Sequence, residues 1–271
     1  MSVELPRAAS GRSARDVAEE ACRLAGGILR QRFQSKMDIT YKGRGNLTTD
    51  VDHQVQAAVL GLLRREFPAV GSLAEEAPDV EPTTEYYWVV DPLDGTRNFA
   101  TGVPFFSVVV ALARRGEVVL GLTYDPMRDE LFVGERGGGA TLNGKPMAVS
   151  KRERLEDCTI GFDLGYDNAK ALTALQLMQR LWPGMQTIRI MGSSALGLAY
   201  AAAGRIDLYF HHALSPWDVA AGLVLAPEAG GVYTDKHGGP SGLRSDGLIV
   251  SNRALHAEFL KATEGSEWRK R

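Results

Sequence analysis

Apolar positions between residues 12 and 33 recur at helical spacing, with Val17, Ala21, Leu24, Ala25, Ile28 and Leu29 on one stripe, and predict an amphipathic helix. Lys42-Gly43-Arg44-Gly45-Asn46 is polar and glycine-bearing and reads as a loop. A second helix is expected to open near Thr49-Asp50, run through Val55, Val59, Leu62 and Leu63, and stop at Phe67-Pro68. From residue 86 the pattern changes to strands. Tyr87-Trp88-Val89-Val90 is a short apolar run ending on Asp91, and 105–113, 118–124 and 130–133 are rich in strand-forming residues. Arg114-Arg115-Gly116-Glu117 and Asp125-Pro126 supply turns, and Gly137-Gly138-Gly139 with Asn143-Gly144 reads as a further hairpin. The charged run Lys151-Arg152-Glu153-Arg154 suggests a boundary between an N-terminal α+β half, 1–150, and a C-terminal α/β half, 151–271. In the second half, strands at 157–161, 186–191 and 206–210 alternate with helices at 168–181, 193–203 and 217–229, the pattern of an α/β layer.

With 44% hydrophobic residues the chain can bury a sizeable core. Its 31 basic and 33 acidic residues leave a formal charge of -2, so no basic surface advertises a nucleic-acid partner. Cys22 and Cys158 lack metal-like spacing and read as reduced thiols. Residues 1–15 are polar, without the apolar core of a signal peptide, and apolar stretches such as 108–113 are too short to span a bilayer. A cytoplasmic protein with no membrane partner is expected.

Candidate chemistry begins where the apolar run ends, at Asp91-Pro92-Leu93-Asp94-Gly95-Thr96. Pro92 restricts Asp91 to extended geometry, Gly95 permits positive φ, and Thr96 adds a hydroxyl and an amide that can point at an anion. Two carboxylates held this close repel unless a cation or proton intervenes, and magnesium suits hard oxygen ligands shared with a phosphate. An Asx turn after a strand is the plainer alternative. Further acids stand at Glu75-Glu76 and at Asp218, in Pro216-Trp217-Asp218-Val219-Ala220. A solvated loop explains the former, and a first-turn helix acid the latter. Asp218, however, sits between a tryptophan and small apolar residues, where a carboxylate usually has a partner.

Two segments carry a resemblance. Trp88-Val89-Val90-Asp91-Pro92-Leu93-Asp94-Gly95-Thr96-Arg97-Asn98-Phe99 and Trp217-Asp218-Val219-Ala220-Ala221-Gly222, continuing to Glu228-Ala229-Gly230-Gly231, resemble the two signatures of the inositol monophosphatase family, over roughly residues 12 to 262. That family lies within the superfamily of lithium-sensitive, magnesium-dependent phosphatases that includes fructose-1,6-bisphosphatase. The resemblance implies a layered α-β-α-β-α sandwich, a homodimer, and hydrolysis of a small phosphorylated metabolite by metal-activated water without a phosphoenzyme. Inositol 1-phosphate is the first candidate substrate; fructose-1,6-bisphosphate, histidinol phosphate and 3'-phosphoadenosine 5'-phosphate are the alternatives, as is a regulatory binding role toward the transcription machinery.

Residue by residue, the resemblance implies that Glu75, Asp91 and the Leu93 carbonyl hold one Mg2+, that Asp91, Asp94 and Asp218 hold a second, and that a third, weaker ion leans on Glu75, with Mn2+ as a substitute. Gly95 and Thr96 would cradle the phosphate. Asp52, paired with Thr96, would orient or deprotonate the attacking water, or else serve only as a first-turn helix acid. Lys42 resembles a lysine near the active-site loop, or is an ordinary surface lysine. Ile190-Met191-Gly192-Ser193-Ser194-Ala195 resembles the segment lining the substrate pocket, where Gly192, Ser193, Ser194 and Ala195 join Asp94; plain helix capping is the alternative. Seven residues before Asp218, where inositol-preferring members carry a glutamate, this chain has His211. Histidine does not reproduce a carboxylate's pair of acceptors. Adjacent residues at a strand end project oppositely, which argues against His211 and His212 forming a joint metal site.

Overall fold

The computed structural model describes residues 5–43 and 45–270. Residues 1–4, 44 and 271 lie outside it, and with them the start of the polar N-terminal segment, one residue of the loop expected at 42–46 and the last residue of the C-terminal half.

Helix α1 (Ala14–Arg32) opens on Ser13, whose hydroxyl accepts from the Asp16 N–H. Strands β1 (Ile39–Gly43) and β2 (Asn46–Thr49) form an antiparallel hairpin around the expected loop. Every residue of β1 is exposed, so no apolar alternation marks it as a strand. Thr49 caps α2 (Asp50–Glu66): its hydroxyl accepts from the Val51 and Asp52 N–H groups while the Asp52 carboxylate takes the Thr49 N–H, a capping box. Strands β3 (Gly71–Ala74) and β4 (Tyr86–Asp94) come next, then the short helix α3 (Thr96–Thr101). After it run β5 (Ser107–Arg114), β6 (Glu117–Asp125), β7 (Glu130–Glu135), β8 (Gly139–Leu142) and β9 (Lys145–Pro146). Strands β3 to β9 form a seven-stranded sheet in sequential order, antiparallel except where β3 lies beside β4.

The rest of the chain supplies β10 (Thr159–Phe162), α4 (Asn168–Leu181), β11 (Thr187–Ile190), α5 (Ser194–Ala202) and β12 (Leu208–His211). It closes with α6 (Pro216–Val219), α7 (Gly222–Glu228), β13 (Val232–Thr234), β14 (Leu248–Ser251) and α8 (Arg253–Ala262). Their strands form a five-stranded sheet, β11-β10-β12-β14-β13, with β14 antiparallel to both neighbours. The helix expected at 217–229 is divided into α6 and α7 at Ala220 and Ala221, which keep right-handed helical dihedrals. Ala221 lies so close to β6 that a Cβ on Gly121 would stand 2.7 Å from its Cα.

Alternation across the strands sorts side chains into three cores. Trp88 and Val90 of β4, with Val108, Val110 and Leu112 of β5, face α1 and α2, whereas Tyr87, Val89, Val109, Ala111 and Ala113 face the opposite way. On that second side they meet α5, α7 and the inward residues Tyr209, Leu248 and Val250 of the smaller sheet. Leu208, Phe210 and Ile249 point outward, against Leu177 of α4 and Leu255 and Phe259 of α8. The layers therefore run helix, sheet, helix, sheet, helix, which is the α-β-α-β-α sandwich that the family resemblance implies. β5 and β6 are buried on both faces, so they read as near-continuous apolar runs, whereas the edge strands β9 and β11 are partly exposed.

Candidate active site

The two carboxylates at 91 and 94 owe their common direction to a bulge. Asp91 pairs with Val109 and Asp94 with Ser107, so three steps on β4 oppose two on β5. An odd separation on a regular strand would send the side chains to opposite faces, and the extra residue restores them to one. Pro92, which donates no ladder hydrogen bond, occupies this irregularity.

Asp91 Oδ1 accepts the Leu93 N–H at 2.9 Å. Its Oδ2 is buried and receives no N–H or hydroxyl donor among the described residues; its neighbours there are the carboxyl groups of Glu75 and Asp218. Asp94 is braced by its neighbouring strand and by the second half of the chain: Oδ2 accepts from Ser107 Oγ of β5 (3.0 Å) and, from beyond residue 150, from the Ala195 N–H (3.2 Å) and Ser193 Oγ, while Oδ1 accepts from the Ser194 N–H (3.1 Å). Asp218, at the start of α6, takes the Ser215 N–H at 2.8 Å, so it caps the helix and still faces the cluster. One oxygen from each of Asp91, Asp94 and Asp218 lies within 4.8 Å of the other two, a set able to hold a metal ion. The donors are hard oxygens, and the orphaned Asp91 Oδ2 is an oxygen a cation would satisfy. The residues fit a divalent ion.

Electrostatics agree with that fit. Burial, then the charges of Glu75, Asp94 and Asp218, hold Asp91 well above the usual carboxylate range. Burial and the charges of Asp94 and Glu75 do the same for Asp218. Asp94 is raised by burial, against the pull of its donors. Burial pushes Glu75 up to about 7 although the Lys42 charge opposes it. Lys42 Nζ stands 2.5 Å from Glu76 Oε1 and 3.6 Å from Glu75 Oε1, so it is tied to the acidic loop rather than free on the surface.

Asp52 approaches from α2. Its Oδ2 accepts from the Thr49 N–H (2.8 Å) and hydroxyl (2.5 Å), and its Oδ1 lies 3.1 Å from Thr96 Oγ1. Thr96 Oγ1 is also 2.9 Å from the Leu93 carbonyl. Asp52 is thus both helix acid and Thr96 partner, and burial raises its pKa. Gly95, at φ 91°, turns the chain from β4 into α3, and a Cβ there would stand 3.1 Å from the Gly192 carbonyl and 3.2 Å from Ser193 Cβ.

These residues open onto a cavity of about 620 Å3, lined by Lys42, Glu75, Asp91, Leu93, Asp94, Gly95, Thr96 and Asp218 together with Gly192, Ser194, His211 and His212. Ser193 and Ala195, expected to face the substrate, are buried, and both donate to Asp94. His211 and His212 depart from the expected opposition. Strand β12 ends at His211, so the pleat no longer governs His212, and the two rings stack 4.5 Å apart at 26°.

Asp163 escaped sequence reasoning. Its carboxylate, just past β10, accepts the Met191 N–H (2.8 Å), the Gly192 N–H (2.6 Å) and the Tyr209 hydroxyl (2.8 Å), and burial pushes it up to about 6. It fixes the loop that presents Ser193, Ser194 and Ala195 to Asp94. Asn98 helps from the other side, donating to the Phe105 and Met191 carbonyls at 2.7 and 3.0 Å. The available signal was an acid ending an apolar strand, as at Asp91, in Thr159-Ile160-Gly161-Phe162-Asp163.

Residues 12–267 match the family model described as inositol monophosphatase family. The chain belongs to this family. Among inositol monophosphatase relatives, it is 36% identical to an inositol-1-monophosphatase of Mesorhizobium japonicum, over 92% of this chain and 95% of that protein. It is 34% identical to Nus factor SuhB of Escherichia coli, over 88% of this chain and 90% of the relative. The solved structure of extragenic suppressor protein suhB from Bartonella henselae superposes with a TM-score of 0.88 at 35% identity, covering 93% of this chain and 98% of that one. As a member of the inositol monophosphatase family the protein is a phosphatase, a hydrolase of phosphate esters. Among the described residues no helix is long and apolar enough to cross a membrane.

Proposed function

We propose that the protein is a magnesium-dependent phosphomonoesterase acting on a small phosphorylated metabolite, with inositol 1-phosphate the first candidate. The observation that carries this reading is the convergence of Asp91, Asp94 and Asp218 oxygens within 4.8 Å of one another, together with a buried Asp91 Oδ2 that no N–H or hydroxyl among the described residues reaches. These three residues, with Glu75 and the Leu93 carbonyl, would hold two or three Mg2+ ions, for which Mn2+ would substitute. Bound there, the ions supply Lewis acidity, neutralising phosphate charge and lowering the pKa of water.

The chain's own groups supply the rest. The amides of Gly95, the N-cap of α3, and Thr96, its first residue, would bind the phosphate oxygens, since N–H groups at a helix start have no intrahelical acceptor. Thr96 Oγ1, 3.1 Å from Asp52 Oδ1, can donate to that carboxylate while accepting a proton from water in the cavity. Burial makes Asp52 a better proton acceptor than an exposed aspartate. Ser107, Ser193 and the Ser194 and Ala195 amides fix Asp94 so that no reorganisation is needed when substrate arrives. Gly192 and Ser194 would meet the alcohol half of the substrate, and a homodimer is part of the same reading.

The test is phosphate release from inositol 1-phosphate, fructose-1,6-bisphosphate, histidinol phosphate and 3'-phosphoadenosine 5'-phosphate, each with Mg2+ and with chelator. At least one ester is expected to be hydrolysed with Mg2+ alone, and activity undiminished by chelator contradicts the reading. Likeness to a Nus factor favours a second, regulatory binding role. Asp94→Asn separates the two: lost hydrolysis with an intact cellular phenotype supports the binding role.

A further inference from the structure

Arg97 follows Thr96 in the first turn of α3, and the helical step of roughly 100° turns their side chains apart. Thr96 is buried toward Asp52, whereas Arg97 is exposed and lines the cavity. Its guanidinium is held from two other segments. Nη2 donates to the carbonyl of Gly45, between β1 and β2, where the missing side chain makes room for the guanidinium. The face of the group lies 5.8 Å from the centre of the Tyr166 ring, on the loop after β10. Among the described residues Arg97 meets this carbonyl and this ring and pairs with no carboxylate, so its Nε–H and Nη1–H groups are left to donate elsewhere. The other cation lining the cavity, Lys42, is engaged by Glu76 at 2.5 Å. Asp167, next to Tyr166, turns its carboxylate onto the Ala169 and Lys170 amides of α4 at 2.9 and 3.1 Å. Tyr166 is 55% exposed, and the charges of Glu75 and Asp218 act on its hydroxyl while Arg97 lies over its ring. An unengaged guanidinium therefore stands in the open part of the cavity, one residue from the Thr96 amide.

We propose that Arg97 is a specificity-determining residue that receives a second anionic group on the leaving alcohol. The cavity then favours phosphomonoesters carrying a further phosphate or a carboxylate over their neutral counterparts. The inference rests on the phosphomonoesterase reading. A guanidinium presents its N–H groups as a planar fork that matches two oxygens of either anion through charge-assisted bonds. Backed by the Tyr166 ring and tied to the Gly45 carbonyl, the fork is ordered before substrate arrives, so binding loses less rotamer freedom. Because the group is exposed, salt screens its attraction. Arg97 touches the leaving group and takes no part in the transfer of phosphate.

The test compares kcat/KM, at saturating Mg2+, within two matched pairs of esters. 3-Phosphoglycerate differs from glycerol 1-phosphate by a carboxylate, and fructose-1,6-bisphosphate differs from fructose 1-phosphate by a second phosphate. Ratios within a pair are read, so a uniform loss of activity cancels. In the native protein at least one anion-bearing ester exceeds its neutral counterpart, and the pair that does so tells carboxylate from phosphate. Arg97→Gln lowers that ratio by about tenfold or more. Arg97→Lys, which keeps the charge but not the fork, lowers it less. Tyr166→Leu, which removes the backing ring, lowers it by about twofold to fivefold. Raising the ionic strength lowers the native ratio more than that of Arg97→Gln. Were Arg97 only a tie to the Gly45 turn, Arg97→Gln would slow all four esters alike. Ratios unmoved in Arg97→Gln, or no preference for the anion-bearing ester of either pair in the native protein, overturn the inference alone when the neutral esters are hydrolysed. Failure of the native protein to hydrolyse any of the four with Mg2+ overturns the phosphomonoesterase reading, and this inference with it.

Discussion

Removing divalent ions should make the acidic cluster a pH-dependent burden on the fold, and Glu75 offers a way to measure it. Burial moves its carboxyl from an ordinary 4.5 to about 7. A group raised in the folded state contributes fully below its unfolded pKa and loses that contribution as pH rises through the folded value. Between pH 4 and 8 the folded state must therefore ionise Glu75 against burial, a cost of about 3 kcal/mol at roughly 1.4 kcal/mol per tenfold change. Glu75→Gln mimics the protonated form and avoids that cost. His211 and His212, lowered by burial to about 3 and about 4, act with the opposite sign below about pH 6.5 but act alike in both proteins. In chelator, Tm by calorimetry should be nearly equal for native and Glu75→Gln at pH 4, below the ordinary value of 4.5. At pH 8 the variant should be higher by roughly 6–12 °C, at about 2–4 °C per kcal/mol. Mg2+ should narrow or reverse the gap, because it binds the native cluster better. Equal Tm values at pH 8 in chelator refute the reasoning.

Asp163→Ala leaves the Met191 and Gly192 amides and the buried Tyr209 hydroxyl without their acceptor. Unfolding in denaturant should show a loss of about 2–4 kcal/mol, and kcat should fall because Asp94 loses the loop that braces it; a normal kcat would assign Asp163 to stability alone. Gly95→Ala combines φ 91° with a Cβ 3.1 Å from the Gly192 carbonyl, and a loss of about 1–3 kcal/mol together with weakened phosphate inhibition is expected. Unchanged phosphate inhibition in that variant would separate the turn from anion binding.

The parts of the fold legible in the sequence are those whose periodicity matches local geometry. α1 repeats apolar residues at helical spacing because one stripe faces the sheet, and β5 reads as a solid apolar run because both its faces are covered. β1, exposed at every position, carries no such mark. The division of α6 from α7 falls where Ala221 packs against Gly121 of a distant strand, a contact that no pattern around residue 220 reveals. Asp91, Asp94 and Asp218 stood out because proline, glycine and tryptophan beside them constrain carboxylates that a solvated loop would leave free. Asp163 did not stand out, because its partners are two amides and a hydroxyl separated from it by 28 or more residues. The stacking of His211 on His212 arises where the strand's alternation stops, an endpoint fixed by pairing with Leu248.

The central claim, that the carboxylate cluster holds the ions on which hydrolysis depends, is tested most directly by titrating Mg2+ into metal-free native protein and into Asp218→Asn while following phosphate release from inositol 1-phosphate, or from whichever ester of the panel is cleaved fastest. Native activity should rise from background to a plateau. Asp218→Asn, its fold verified by circular dichroism, should stay near background or need far more Mg2+. Activity in metal-free native protein, or identical Mg2+ curves for the two, would contradict the account.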